Sequence, residues 1–333
     1  MGFLVALLPL HADPGNQPPP LDLLRLFTVW KWDWLFAIPA AIGLLGYLWG
    51  VWRLHRRGDR WPAVRTWSWC LGGIGTATVA GMSSLGAYDT VLFSVHMVQH
   101  MMLTMITPVF LAVGAPVTLL LRNLGKDGRR RVMKVLHSPP LKVLFFPPLA
   151  TALLITTPFA LYLTELYRYT LDVDWAHDLL HIYMITVGCL FFFPLLGNDP
   201  MPNRLPYPMR ILLLFITMPA QAFLGTTIMG SSRLIAEDWY LAFGRAWPPS
   251  PIDDQYIAGA IMWATGDLTM GVIMGVLLVQ WYSESKREAA RIDRKLDREE
   301  ALAARRSGAD QGVANRYDEP VDRQGAEADE EDR

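Results

Sequence analysis

The stretch FSVHMVQHMMLTM (residues 93–105) sets His96 and His100 four positions apart in a run that is otherwise almost wholly apolar. It opens an apolar block that reaches residue 121. About twenty consecutive apolar residues suffice for a helix to cross the hydrocarbon core of a bilayer, so the block reads as a membrane span. Further along, WAHDLLHIYM (175–184) repeats the H-x-x-x-H spacing with His177 and His181. Ionisable side chains are expensive inside a membrane, and two pairs with one spacing point to a functional site.

Composition supports the membrane reading. The 333 residues are 52% hydrophobic with a mean hydropathy of +0.23, more apolar than an ordinary soluble domain. Thirteen tryptophans suit aromatic belts at two membrane interfaces, and Trp30, Trp32 and Trp34 in VWKWDW (29–34) fall at the edge of the first span. A net charge of −1 gives no global attraction to nucleic acid, and no nucleic-acid partner is expected. The two cysteines, Cys70 and Cys189, stand singly in apolar blocks, which excludes a C-x-x-C redox motif or a cysteine zinc site. The opening MGFLVALLPLHADPG has a short apolar run without a basic flank, compatible with a weak signal sequence or an interfacial segment.

Apolar run length gives about seven spans, near 33–53, 66–86, 91–121, 141–163, 177–197, 209–230 and 256–281. The expected fold class is therefore all-α: a polytopic membrane protein built as a bundle of about seven transmembrane helices. Three parts follow: an extracytoplasmic segment (1–32), the transmembrane domain (33–282) and a charged cytoplasmic tail (283–333), partly disordered. Basic loops set the orientation. RLHRRGDRWPAVR (53–65), RNLGKDGRRRVMK (122–134), PNRLPYPMR (202–210) and SKREAARIDRK (285–295) all fall on one side, expected to be cytoplasmic. The alternate loops, including AYDT (87–90), are acidic or mixed. This puts the N-terminus outside and the C-terminus inside.

On this topology all four histidines belong to the outer leaflet. Within each pair, positions i and i+4 share one helix face, about 6 Å apart along the axis. Two facing helices could then offer His96, His100, His177 and His181 to one transition metal, because imidazole suits copper, zinc, iron and nickel. Met97, Met101 and Met262 are weaker candidate ligands, and thioether donors outside the cytoplasm favour copper. Asp178, Asp253 and Asp254 stand at the same level and could orient the imidazoles, with Asp267 deeper in the last span. A simpler reading sits beside this one. Membrane histidines can serve only as hydrogen-bonding links between helices, and methionines in apolar spans commonly pack. Gln221 reads as such a link, and His55 and His137 as surface residues. There is no Walker loop, G-x-S-x-G or H-E-x-x-H, so no common enzyme signature supports catalysis, and the chain is expected not to be an enzyme.

FSVHMVQHMML, GAPVTLLLR (114–122), HDLLHIYMITVGCLFFFPLLGNDP (177–200), LPYPMRILLLFITMPAQAFLG (205–225) and DDQYIAGAIMWATGD (253–267), in this order, resemble the CtaG family of cytochrome c oxidase assembly factors, in its actinobacterial branch. The resemblance covers residues 34–281. It implies an assembly factor that delivers copper to the oxidase catalytic subunit, with an extracytoplasmic copper donor upstream and the lipid bilayer as surroundings. It carries His96, His100, His177 and His181 over as candidate copper ligands, and Asp253, Asp254 and Gln255 as an outer motif. The chain departs from the family pattern at Gln221 and at TTP (156–158), where histidines are common. Other readings stay open from the residues: a membrane oxidoreductase holding haem between two histidines, a copper or proton transporter, and a metal-free scaffold.

Overall fold

A computed structural model describes residues 19–197 and 199–317. His11, the start of the N-terminal segment and residues 318–333 of the tail lie outside the described residues. Among the described residues, regular structure is helical, and the one strand-like pairing is an isolated bridge between Trp30 and Ser83.

Seven long helical stretches order the fold: α1 (Trp34–Arg56), α2 (63–82), α3 (Phe93–Asn123), α4 (Pro147–Leu163), α5 (Asp174–Leu196), α6 (Tyr207–Gly230) and α7 (Pro251–Tyr317). Five of them, α1, α3, α5, α6 and α7, are long and apolar enough to cross a membrane. A sixth follows if α4 and the short helix Leu166–Asp172, bent from it by 73°, count as one broken span. The stretch α2 is helical without interruption over a spanning length but falls outside that set. Arg65 and its many glycine, serine and threonine residues dilute its apolar character.

Local chemistry sets the helix ends. Asp33 caps α1 by accepting from the Leu35 N–H at 2.8 Å, and basic residues Arg53, His55 and Arg56 fill its last turn, where the helix dipole is negative. Ser83 ends α2 in extended backbone and caps the short helix Ser84–Tyr88 through its hydroxyl. Gly197 terminates α5 in the left-handed region, φ 66°. Within α3, Ala115 also takes positive φ before Pro116, and buried Asp199 accepts from the Val117 and Thr118 N–H groups at 3.2 and 2.7 Å. Both α2 and α3 contain a widened π segment, Ser68–Gly75 and Met102–Ile106.

The first compact unit, residues 1–277, holds one large core of Met97, Met101, Leu103, Met105, Met184, Phe192, Leu214 and their neighbours. Large apolar side chains also cover its outside, among them Ile42, Phe215, Leu268 and Val272, as expected of a helix bundle whose surroundings are lipid. Close helix approach uses glycine. A Cβ on Gly188 of α5 would lie 2.1 Å from the Thr104 carbonyl oxygen of α3. Likewise, a Cβ on Gly259 of α7 would lie 2.6 Å from the Gly225 oxygen of α6. The second unit, residues 278–333, is helical through Tyr317, and its described side chains are exposed, with an i,i+4 pair between Lys295 and Glu299.

Candidate metal centre

The two histidine pairs enter the same buried region from α3 and α5. The first turn of α3 has no cap of its own. Asp254 of α7 supplies it, accepting from the Phe93 and Ser94 N–H groups at 2.7 and 3.3 Å and from the Ser94 hydroxyl. One turn later come His96 and His100, 0% and 4% exposed. His177 and His181 lie in the first two turns of α5, at 1% and 2%. The Gly188–Thr104 approach lets the two helices lie close enough for the pairs to meet.

The four rings form a continuous row. Centroids are 6.3 Å apart from His100 to His96, 5.9 Å from His96 to His177, and 4.7 Å from His177 to His181. The two ends of the row differ in what they bind. Asp89, fully buried in the turn before α3, stands 3.0 Å from His177 Nε2 and 3.6 Å from His181 Nε2 through Oδ2. Its other oxygen accepts from the Thr90 N–H at 2.8 Å. Asp89, His177 and His181 each offer a ligand atom, and those atoms lie within 4.8 Å of one another, a group that could hold a metal ion. Gln99 completes this end: its amide donates to the Ala80 carbonyl, which turns Oε1 toward His181 Nε2 at 3.1 Å. At the other end, the hydroxyl of Tyr162 from α4 bridges His96 Nε2 at 3.0 Å and His100 Nδ1 at 2.7 Å.

Burial acts to raise the Asp89 carboxyl, but His177, Lys31 and His181 more than reverse this and hold it well below the usual carboxylate range. A carboxylate in that state is a fixed negative charge in a low-dielectric region, where a cation is attracted strongly. Lys31 belongs to the segment lying over this end; its ammonium donates to the Gly86 carbonyl at 3.3 Å and sits 3.9 Å from Asp33. The donor set fits a transition-metal cation: two imidazoles, one carboxylate and an amide oxygen, with His181 Nδ1 buried and without a hydrogen-bond partner among the described residues.

The expected orienting carboxylates fall elsewhere. Asp253 is exposed and accepts from the Ser250 hydroxyl at 2.5 Å, and Asp254 caps α3 and faces buried Arg245 at 3.7 Å. Both are thus used to fix the ends of helices and do not reach an imidazole. Asp178 is half-buried and near enough to His181 to act on it through its charge. Asp267 lies well along α7 and is half-buried, its Oδ1 without a hydrogen-bond partner among the described residues. Met97 is packed in the core, whereas Met101 and Met262 line a cavity beside His100.

Asp89, Gln99 and Tyr162 were not anticipated from the sequence. Asp89 carried a usable signal: it is the one acidic residue in a four-residue loop joining two spans at the level of the histidines. Gln99 lies beside His100 inside the opening stretch, a further polar side chain in an apolar run. Tyr162 carried no signal beyond its place at the end of an apolar block.

Comparison with known proteins places these residues in a wider context. The model of the cytochrome c oxidase caa3 assembly factor family, Caa3_CtaG, matches residues 45–284. Uncharacterized proteins of Mycobacterium bovis and Mycobacterium tuberculosis are each 36% identical over 287 residues, covering 84% of this chain and 43% of theirs. One of Mycobacterium leprae is 35% identical over the same length. The chain thus spans less than half the length of these relatives. No solved structure matches it.

Proposed function

The chain belongs to the cytochrome c oxidase caa3 assembly factor family, and from that premise and the geometry of the histidine row we propose that it takes up copper at the Asp89–His177–His181 group and hands it to the oxidase catalytic subunit. The single observation that carries the reading is the convergence of two imidazoles and a carboxylate within 4.8 Å in a buried site. The chain acts without catalysis, as a carrier in the plasma membrane, receiving copper from an extracytoplasmic donor.

The topology that serves this role has seven spans. It adds α2 and the bent pair built on α4 to the five apolar helices, with the N-terminus outside. Its support is the charge of the loops: Arg56, Arg57, Arg60, Arg129, Arg130 and Arg131 lie on the side opposite Asp89 in chain order. The site then opens toward the compartment where the oxidase takes up its metals.

Each residue has a physical task. Asp89 supplies the charge that draws a cation out of water. His177 and His181 would supply Nε2 lone pairs as neutral imidazoles protonated at Nδ1, the contacts of Nε2 with Asp89 and Gln99 giving way to the ion. Gln99 holds His181 in register through its bond to Ala80. Copper is the cargo, and its binding to a neutral pair plus one carboxylate leaves it exchangeable. Against haem held between the pairs stands the crowding of His96 by Phe93, Tyr162 and Tyr167, whose ring centroids lie 6.1, 6.1 and 4.8 Å away and fill the space a porphyrin would need.

The test is metal analysis of the full chain purified in detergent, wild type against Asp89→Asn, His177→Ala and His100→Ala. Copper at the Asp89 group is expected in the wild type and in His100→Ala, and a fall in bound copper in the other two. Equal copper in all four proteins sinks the proposal, and a Soret band in the purified protein replaces it with the haem reading.

A further inference from the structure

One turn beyond His100 the row of imidazoles ends at a cavity with different chemistry. Its walls include His100, Met101 and Met105 from α3, Met184 from α5, Met262 from α7 and Gln221 from α6. The four methionines are each 2% exposed or less. We infer that this cavity is a second metal site, a soft one that takes Cu(I) on thioether sulfur and His100, as the station after the Asp89 group. The inference rests on the copper reading above and names the next position of the cargo.

Methionine in a core ordinarily packs, and three observations separate this cavity from ordinary packing. The first is convergence: methionines from three different helices line one cavity together with an imidazole. The second is unspent polarity. Gln221 Oε1 and Thr104 Oγ1 belong to side chains 5% and 7% exposed, both line the cavity, and neither has a hydrogen-bond partner among the described residues. An unsatisfied buried group costs about 1–3 kcal/mol, and cavities that stay empty are apolar. The third is that the backbone makes room for the polar group. A Cβ on Gly266 would lie 2.1 Å from Gln221 Oε1, so only glycine leaves room for that amide. The α3 backbone is itself widened at Met102–Ile106, and π segments of this kind recur at functional sites.

The chemistry follows from the donors. Thioether and imidazole are neutral, and soft sulfur ligands select Cu(I) over hard divalent ions. No carboxylate lines the cavity, so the ion there is held less by charge than at Asp89. From His177 the row of rings leads through His96 to His100. The cavity also adjoins the outside of the bundle. Thr157 and Tyr183, hydrogen-bonded to each other at 2.8 Å, line both this cavity and a larger groove on the outside of the bundle between α4 and α5.

The experiment loads the full chain in detergent with Cu(I) under reducing conditions and records X-ray absorption at the copper edge. Sulfur neighbours are expected in the wild type and in Asp89→Asn. They should be lost, with a fall in bound copper, from the double variant Met184→Leu/Met262→Leu, a volume-conserving change that cores tolerate. Selenomethionine-labelled wild type gives the same answer without mutation, through copper–selenium scattering. Copper bound with nitrogen and oxygen neighbours alone overturns this inference and leaves the Asp89 reading standing. Undiminished sulfur scattering in the double variant also overturns it. Absence of any bound copper overturns both.

Discussion

The two H-x-x-x-H pairs have one spacing and two fates. On α5 the pair meets a carboxylate, Asp89, and an amide oxygen. On α3 the pair meets a phenol, with Tyr162 bridging both rings. The spacing fixes only that two imidazoles share a helix face. What that face can do is decided by the partner that another part of the chain brings to it. A buried carboxylate makes a site for a cation, whereas a neutral hydroxyl satisfies the rings and makes a link between α3 and α4.

The largest effect on this contrast should come from Gly188→Ala, which drives a methyl group into the Thr104 carbonyl and pushes the two pairs apart. A loss of about 3 kcal/mol is expected, since the obstacle is backbone that cannot swing aside. Denaturation in detergent measures it, and a variant as stable as wild type would mean that the helices do not need this approach. Next comes Asp89→Asn, which removes the charge from one end of the row and leaves the other untouched. Copper affinity should fall roughly 100-fold, the scale on which carboxylate partners tune metal sites. Competition with a chelator reads this out, and unchanged affinity would erase the distinction between the ends.

Tyr162→Phe probes the opposite end. It strips both rings of their shared partner, with an expected cost of about 1 kcal/mol in thermal unfolding and no change in copper affinity. A loss of copper there would merge the two pairs into one site. The smallest effect belongs to Asp253→Ala, at under about 0.5 kcal/mol, because among the described residues this exposed carboxylate accepts from the Ser250 hydroxyl alone. Loss of copper in this variant would return Asp253 to the site.

Much of this arrangement was legible in the sequence, and the reasons for the remainder are specific. Apolar run length located every long helix, because crossing a bilayer is a one-dimensional requirement on the chain. The i,i+4 rule gave the shared face of each pair. The composition of α2 and the 73° bend after α4 were not visible, since neither Arg65 nor the Thr164–Glu165 break interrupts a count of apolar residues. The role of Asp89 was hidden because a loop residue's direction depends on packing that arrives from elsewhere in the chain. The pair Asp253–Asp254 misled for the converse reason: acidic residues at the mouth of a span suit an imidazole and a bare helix end equally well, and Asp254 serves the helix end.

That choice of partner has a consequence for how the protein is made. The N-terminal turn of α3 is completed by a residue 161 positions later in the chain. Until the ribosome has released the last hydrophobic segment into the bilayer, the helix carrying His96 and His100 lacks the clamp at its N-terminal end. A nascent chain halted after α6 would already hold His96, His100, His177 and His181, with one of the two helices that bear them still unanchored. The histidine-bearing bundle is therefore completed late in synthesis, when α7 arrives and supplies Asp254.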